Sequence, residues 1–192
     1  MASSAQYHFV THWRIPNALP ETVYDIISQS DQLPRWWPSV YLDIATLEKG
    51  GAGGLGKLVA LYTKGWLPYT LQWQFRVSEV QRPERLAITA LGDFVGTGVW
   101  TIVADPMGSN DCLVTYDWQI EARKPLLRSL SWLFKPIFAA NHRWAMARGE
   151  ESLCLEVLRR QGQSVAPPPP PTFPHNWTNN KVFLPLQLSS NA

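Results

Sequence analysis

The chain has 192 residues, 45% of them hydrophobic, which suits one globular domain with a substantial core and excludes a disordered protein. Its net charge is only +2 and its basic residues are scattered, which argues against a nucleic-acid partner. Two cysteines are too few for a disulfide framework, and no signal peptide or long apolar run is recognisable. We therefore expect a cytoplasmic protein without an integral membrane segment. Ten tryptophans predict either an aromatic core or an aromatic cavity.

The first part of the chain predicts one strand and two short helices. Alternating side chains indicate a half-buried strand at Tyr7–Ile15. A helix follows from about residue 20 to residue 29, with a proline in its first turn. A second short helix or turn lies between residues 31 and 40. The adjacent Trp36 and Trp37 cannot both face one core, so we expect one of them at a surface or at the mouth of a pocket.

Six further strands are predicted in the middle of the chain. Bulky apolar residues alternate with polar ones in several of them, which predicts a sheet with one aromatic inner face. The glycine-rich segment 50–54 is predicted to be a hairpin loop, because it lacks the GK[S/T] ending and the following helix of a phosphate-binding loop. The predicted strands are Tyr41–Leu47, Lys57–Tyr62, Tyr69–Val77, Arg85–Ala90, Gly96–Ala104 and Cys112–Ala122.

One long helix is predicted over Lys124–Arg160, with a kink or brief interruption at Pro136. Turning about 100° per residue from Phe134 collects an apolar stripe that also carries Asn141 and Arg148. An antiparallel sheet with one apolar face needs a cover, and no other predicted element is long enough. A five-proline run then predicts a stiff, extended segment. We therefore divide the chain into a domain at residues 1–161 and a flexible tail at residues 162–192.

Three short segments of the sequence resemble motifs of a known superfamily. They are Thr22–Ile27 (TVYDII), Leu33–Pro38 (LPRWWP) and Asn141–Leu153, which is similar to the pattern NH-x-x-x-M-x-x-G-E. Together with the order of elements, they resemble the SRPBCC superfamily of START-related helix-grip proteins, and within it the polyketide cyclase/dehydrase and lipid-transport family. The resemblance covers roughly Tyr7–Arg160. It is specific for the fold and weak for activity, because one fold hosts many functions.

The resemblance implies an α+β fold in which a seven-stranded, curved antiparallel sheet wraps around the long C-terminal helix. It also implies a cavity between the sheet and the helix. The inner strand faces and the helix stripe then become the wall of that cavity. The ligand-contacting residues expected on this basis are Trp13, Trp73, Phe75, Trp100, Tyr116, Trp118, Phe134, Phe138, Asn141 and Arg148.

The leading interpretation is the binding or transport of a hydrophobic small molecule of the lipid, polyketide or isoprenoid type. Asn141 would orient a ligand oxygen or serve in capping or core hydrogen bonding. Arg148 would contact the ligand, pair with a strand carboxylate or extend to solvent at the cavity rim. His142 is a candidate general base or a structural histidine beside the sheet edge. The alternative is a cyclase or dehydratase acting on such a ligand, and a third class is an interaction protein that binds a partner through its tail.

The sequence favours neither metal nor cofactor chemistry. It contains no HExxH, no Walker loop and no GxSxG motif. We therefore expect no metal site and no cofactor.

Overall fold

The computed structural model describes residues 5–122 and 131–172. It contains seven strands, three α-helices and two short 3₁₀ turns at Ser30–Gln32 and Ala52–Gly54 within that part of the chain. The strands are β1 (Ala5–Ile15), β2 (Tyr41–Glu48), β3 (Leu58–Lys64), β4 (Thr70–Gln81), β5 (Arg85–Gly92), β6 (Phe94–Ala104) and β7 (Cys112–Ala122). The helices are α1 (Pro20–Ser28), α2 (Leu33–Trp36) and α3 (Ser131–Arg160).

All seven strands form one antiparallel sheet in the order β1-β7-β6-β5-β4-β3-β2. Strands β2 to β7 follow one another as neighbours, and β1 then pairs with β7 along its whole length. The two short helices carry the chain from β1 at one edge to β2 at the other. The predicted α+β arrangement, with a curved seven-stranded sheet packed on a long C-terminal helix, is confirmed.

The sheet buries one face because its side chains alternate as predicted. On β4 the buried positions are Leu71, Trp73, Phe75 and Val77, and the positions between them are more exposed. Strand β7 repeats this pattern with four buried residues, Val114, Tyr116, Trp118 and Ile120. Successive side chains in a strand point to opposite faces, so each of these sets covers the same side of the sheet.

Helix α3 runs without interruption through Pro136. The predicted first turns of this helix, at residues 124–130, lie outside the described residues. Its inner face carries Met146, Ser152, Leu153, Glu156 and Val157, all of them buried. No helix in the described ranges has the length and apolar character needed to cross a bilayer.

A buried carboxylate joins α3 to α2. Glu156 is 2% exposed and accepts hydrogen bonds from Arg35 at 2.9 Å and from Arg159 at 2.7 Å. Arg160 donates a further, longer bond of 3.3 Å. Burial by itself raises the pKa of Glu156, but the hydrogen bonds from these arginines outweigh it and hold the pKa below its usual value.

Neither of the two adjacent tryptophans lies at a surface, because both are buried, and Trp37 borders the space between the sheet and α3. Helix α2 ends at Trp36, and Trp37 has φ −127° and ψ 54°, so the backbone direction changes between the two residues. Trp36 and Trp37 can therefore both point inward. Their ring centroids lie 5.4 Å apart.

The described part of the proline-rich segment lies against the domain. Helix α3 ends before Gly162, whose φ of +82° turns the chain. Ten residues of extended polyproline cover about 31 Å, and the stretch of α3 from Arg160 back to Asn141 covers about 28 Å. The segment thus has the length to return along the helix, and Thr172 reaches the end of β3, where it contacts Lys64 and Gly65.

Candidate ligand-binding site

A cavity of about 140 Å³ lies between the sheet and helix α3. Its wall is mainly aromatic and is contributed by β1, β2, β3, β4, β6, β7, the residue after α2, and α3. The aromatic residues that line it are Tyr7, Phe9, Trp37, Tyr41, Tyr69, Trp73, Phe94, Trp100, Tyr116, Trp118 and Phe138.

The centre of this wall is a set of packed rings on neighbouring strands. Trp100 and Tyr116 are cross-strand partners and stack with centroids 3.9 Å apart. Trp118 continues the set, at 5.6 Å from both Tyr116 and Trp73. A Cβ atom at Gly98 would lie 2.5 Å from the Tyr116 hydroxyl oxygen and 2.8 Å from the Trp118 ring. Glycine at this position therefore makes room for both rings.

A few polar groups interrupt the aromatic wall. The Trp73 indole N–H donates to the Thr63 hydroxyl at 3.0 Å, and this pair is buried. The Tyr7 hydroxyl and the Trp37 indole nitrogen are buried and have no hydrogen-bond partner among the described residues. Burial raises the pKa values of Tyr41 and Tyr116, so their hydroxyls stay protonated at neutral pH.

Asn141 fixes a loop at the edge of the cavity. Its Oδ1 accepts hydrogen bonds from the backbone N–H groups of Trp66 at 2.9 Å and Leu67 at 3.3 Å. A Cβ atom on Gly65 would overlap the Asn141 side-chain amide, so this close approach requires glycine. Asn141 therefore lines the cavity and also connects α3 to the β3–β4 loop.

Among the described residues of the cavity wall, Lys64 is the charged one. This last residue of β3 is 3% exposed, and its Nζ donates to the Thr172 carbonyl oxygen at 2.9 Å. The Thr172 hydroxyl in turn donates to the carbonyl of Gly65 at 3.1 Å. Burial lowers the pKa of Lys64, because removal from water disfavours the charged ammonium.

His142 is a neutral member of the wall. Its ring stacks on Phe9 with centroids 4.2 Å apart and a tilt of 15°, and Nε2 lies 3.4 Å from the Thr11 hydroxyl. Burial, together with the positive charge of Arg143, lowers the pKa of His142 from 6.5 to about 4. A histidine with this pKa is uncharged at neutral pH and is a weak base.

The structure brings most of the expected site residues to the cavity. Six of them line it, namely Trp73, Trp100, Tyr116, Trp118, Phe138 and Asn141. Trp13 is buried beside it against Trp37 and Trp100, and Phe75 lies deeper in the core against Trp73. The side chain of Phe134 is outside the described part of the chain.

Arg148 lies outside the cavity, contrary to expectation. Its side chain is 41% exposed and pairs with Glu151 at 2.6 Å on the same helix. The predicted stripe is centred on Phe134, whereas the inward-facing residues range from Asn141 at about −20° to Met146 at about 120° around the helix, so that their middle lies about 50° to one side of that centre. Arg148 is about 40° away on the other side and therefore points to solvent.

Several residues of the wall escaped prediction. Lys64 and Thr63 follow the predicted end of their strand at Tyr62, and the strand in fact continues to Lys64. Tyr41 lies at the start of β2, beside Trp37, which is one of the two tryptophans expected at a surface or at the mouth of a pocket. A signal was present in one case: a lysine at the end of an apolar strand, directly before a glycine, is unusual enough to mark a special position.

The fold and the cavity define a protein with an α-helix packed against a curved antiparallel sheet around an apolar, ligand-sized space. Residues 8–153 match the family described as polyketide cyclase / dehydrase and lipid transport, and the chain belongs to this family. No curated protein matches the chain.

Solved structures agree with this assignment at the level of the fold. TTHA0849 from Thermus thermophilus is 16% identical with a TM-score of 0.63, over 80% of this chain and 99% of that one. The Zhui aromatase/cyclase from Streptomyces sp. R1128 is 14% identical with a TM-score of 0.63, over 81% and 96%. A START superfamily protein from Mycobacterium smegmatis is 17% identical with a TM-score of 0.58, over 82% and 99%. These likenesses confirm the predicted fold, whereas the predicted family is confirmed by the match over residues 8–153.

Proposed function

We propose that this protein binds or transports a hydrophobic small molecule of the lipid, polyketide or isoprenoid type in the cavity between the sheet and α3. The observation that carries the proposal is the aromatic wall, in which rings from several strands and the helix converge on one space. Apolar cavities with few fixed polar groups are typical of small-molecule sites. The Tyr7 hydroxyl and the Trp37 indole N–H, which have no hydrogen-bond partner in the described part of the chain, would orient an oxygen of the ligand.

The size of the cavity limits what it encloses. At about 140 Å³, it is close to an engineered apolar cavity of about 150 Å³ that binds benzene. We therefore expect the enclosed part of the ligand to be a single aromatic ring or an apolar group of similar bulk.

Filling the cavity tests this proposal. Ala145 lines the cavity on α3, and Ala147 is exposed two residues further on. Protein purified from its own host would be examined by native mass spectrometry for a bound apolar compound. We expect the wild type and Ala147→Trp to carry the compound and Ala145→Trp to lose it, with all three proteins folded by circular dichroism.

The proposal fails if the wild type arrives empty and its tryptophan fluorescence is unchanged across a panel of lipids and aromatic compounds. Trp73, Trp100 and Trp118 line the cavity, so a bound molecule there would alter the emission. Equal ligand loading of the two tryptophan variants would place the ligand elsewhere.

A cyclase or dehydratase is the alternative, and the titratable groups support it less well. Such an enzyme needs a group that exchanges protons near neutral pH. No aspartate or glutamate is among the described residues of the wall. The pKa of His142 is about 4 and those of Tyr41 and Tyr116 are raised. If turnover is found, His142→Ala and Arg148→Leu should be tested, and unchanged rates would remove both residues from the mechanism.

The proposal also covers the domain organisation of the chain and the cellular location of the protein. We expect residues 1–161 to act as the ligand-binding domain and residues 162–192 as a separate tail that contacts the domain or a partner protein. The two cysteines are free, and burial raises the pKa of Cys112 to about 11, which suits unreactive thiols in the cytoplasm.

A further inference from the structure

The cavity wall contains a buried positive charge that has no counter-charge among the described residues of the protein. Lys64 lines the cavity and is 3% exposed. Its ammonium has three N–H donors, and one of them binds the neutral carbonyl oxygen of Thr172. Within residues 5–122 and 131–172, no carboxylate forms an ion pair with Lys64, and no Asp or Glu lines the cavity.

This arrangement is costly for the empty protein. A buried ammonium is normally paired with a carboxylate, because a neutral carbonyl compensates poorly for the lost hydration. Lys57, seven residues earlier, has the usual arrangement, because its Nζ forms an ion pair with Asp31 Oδ2 at 2.7 Å. The contrast indicates that the partner of Lys64 is supplied from outside the described wall.

We propose that the ligand of this cavity is an amphiphile with a carboxylate, and that its carboxylate pairs with the ammonium of Lys64 while its ring or apolar group fills the aromatic space. The inference rests on the proposed function and specifies its ligand class. One ammonium hydrogen continues to bind Thr172 and the other two are available to the acid. The proline-rich segment therefore stays in place when the ligand binds.

A matched pair of probes separates charge from hydrophobicity. 3-Phenylpropanoate and 3-phenylpropanamide share a single aromatic ring and a short arm, and they differ in the charge at its end. Their dissociation constants at neutral pH would be measured on the full chain by NMR titration of the tryptophan indole signals. For the wild type we expect the acid to bind about tenfold more tightly than the amide, as is typical of a buried charge-assisted hydrogen bond.

Replacing the lysine should reverse that preference. In Lys64→Met the amide is expected to retain its affinity within about twofold, whereas the acid becomes the weaker ligand because its carboxylate has no partner. Lys64→Arg should keep the preference for the acid. Lys57→Met is the matched control, since it removes a lysine that does not line the cavity, and it should behave as the wild type does.

Three results would overturn the inference. A preference for the acid that survives in Lys64→Met would place the anion elsewhere. Equal weakening of both probes in Lys64→Met would mean that Lys64 acts by holding Thr172 in position. Equal binding of both probes by the wild type would refute the charged ligand and leave the hydrophobic cavity standing, whereas no binding of either probe, or of the wider aromatic panel, would refute the proposed function as well.

Discussion

The contact between Gly149 and Trp37 gives a sharp test of how α3 packs against the rest of the domain. A Cβ atom at residue 149 would lie 2.7 Å from both Cε2 and Cη2 of the Trp37 indole, whereas ordinary contacts are 3.4–4 Å. Trp37 has little room to move, because the rings of Trp13, Trp36 and Tyr41 lie within 5.6 Å of it. Gly149→Ala therefore forces a shift of about 1 Å in a packed cluster, and such overpacking costs about 1–3 kcal/mol.

Helix propensity acts in the opposite direction. Replacing glycine by alanine inside a helix normally stabilises it by about 0.5–1 kcal/mol. The net effect of Gly149→Ala on the free energy of unfolding is thus a loss of about 1–2 kcal/mol, or roughly 3–6 °C in Tm for a domain of this size. Because Trp37 also lines the cavity, the same variant should bind the apolar ligand more weakly.

A double-mutant cycle separates the two contributions, measured by chemical denaturation with circular dichroism. Trp37→Phe removes the ring atoms nearest to Gly149. In that background Gly149→Ala should stabilise the protein by about 0.5–1 kcal/mol, since only helix propensity remains. If Gly149→Ala raises the stability equally in both backgrounds, Trp37 does not pack on this part of α3 and the described arrangement is incorrect.

Three further outcomes follow from the described contacts. Glu156→Gln should lower the free energy of unfolding, measured by chemical denaturation, by about 2 kcal/mol, because the arginines around this buried site lose their counter-charge. Glu151→Gln, at an exposed pair on the same helix, should lower it by less than about 1 kcal/mol. Equal losses in the two variants would contradict this prediction. The pKa of His142 in the folded protein lies below that of the unfolded chain, so its stabilising contribution is complete above pH 6.5 and is lost as the pH falls towards about 4. The difference in the free energy of unfolding between wild type and His142→Phe should therefore change by at most about 3 kcal/mol over that interval. A difference that does not depend on pH would show that His142 is not desolvated. Asn141→Ala should accelerate amide hydrogen exchange at Trp66 and Leu67 by about tenfold, because these amides lose their acceptor. Asn141→Asp keeps the acceptor oxygen and should not accelerate the exchange. Slow exchange in the alanine variant would mean that the loop is held by other contacts.

The sheet could be predicted from the sequence because strand alternation is a local property. Trp73 and Trp118 each sit among alternating polar residues, and a period of two assigns them to the inner face without further information. Trp100 lies in a glycine-rich strand with weaker alternation, and its inward position is fixed by its pairing with Tyr116, which only the structure shows.

The inward face of α3 and the end of β3 could not be predicted, because both depend on contacts between residues that are distant in the sequence. A periodic pattern defines an apolar stripe, but the angle at which a sheet meets that stripe is set by the neighbouring elements. Arg148 and His142 lie about 120° apart around the helix, so this angle decides which of them faces inward. Lys64 is buried where Thr172, more than a hundred residues later in the chain, contacts it. The composition of the proline run predicts its extended conformation but not the surface against which it lies.

The length of the polyproline stretch has a further consequence, because it determines where Thr172 is placed. A polyproline helix has no internal hydrogen bonds and a fixed rise of about 3.1 Å per residue, with three residues per turn. Removing one of the five prolines at 167–171 would draw the following residue back by about 3 Å and rotate it by roughly 120°. Thr172 would then present neither its carbonyl to Lys64 nor its hydroxyl to Gly65. The number of prolines therefore sets whether Thr172 reaches the end of β3, and the insertion or deletion of a single proline codon would be enough to remove its contacts with Lys64 and Gly65.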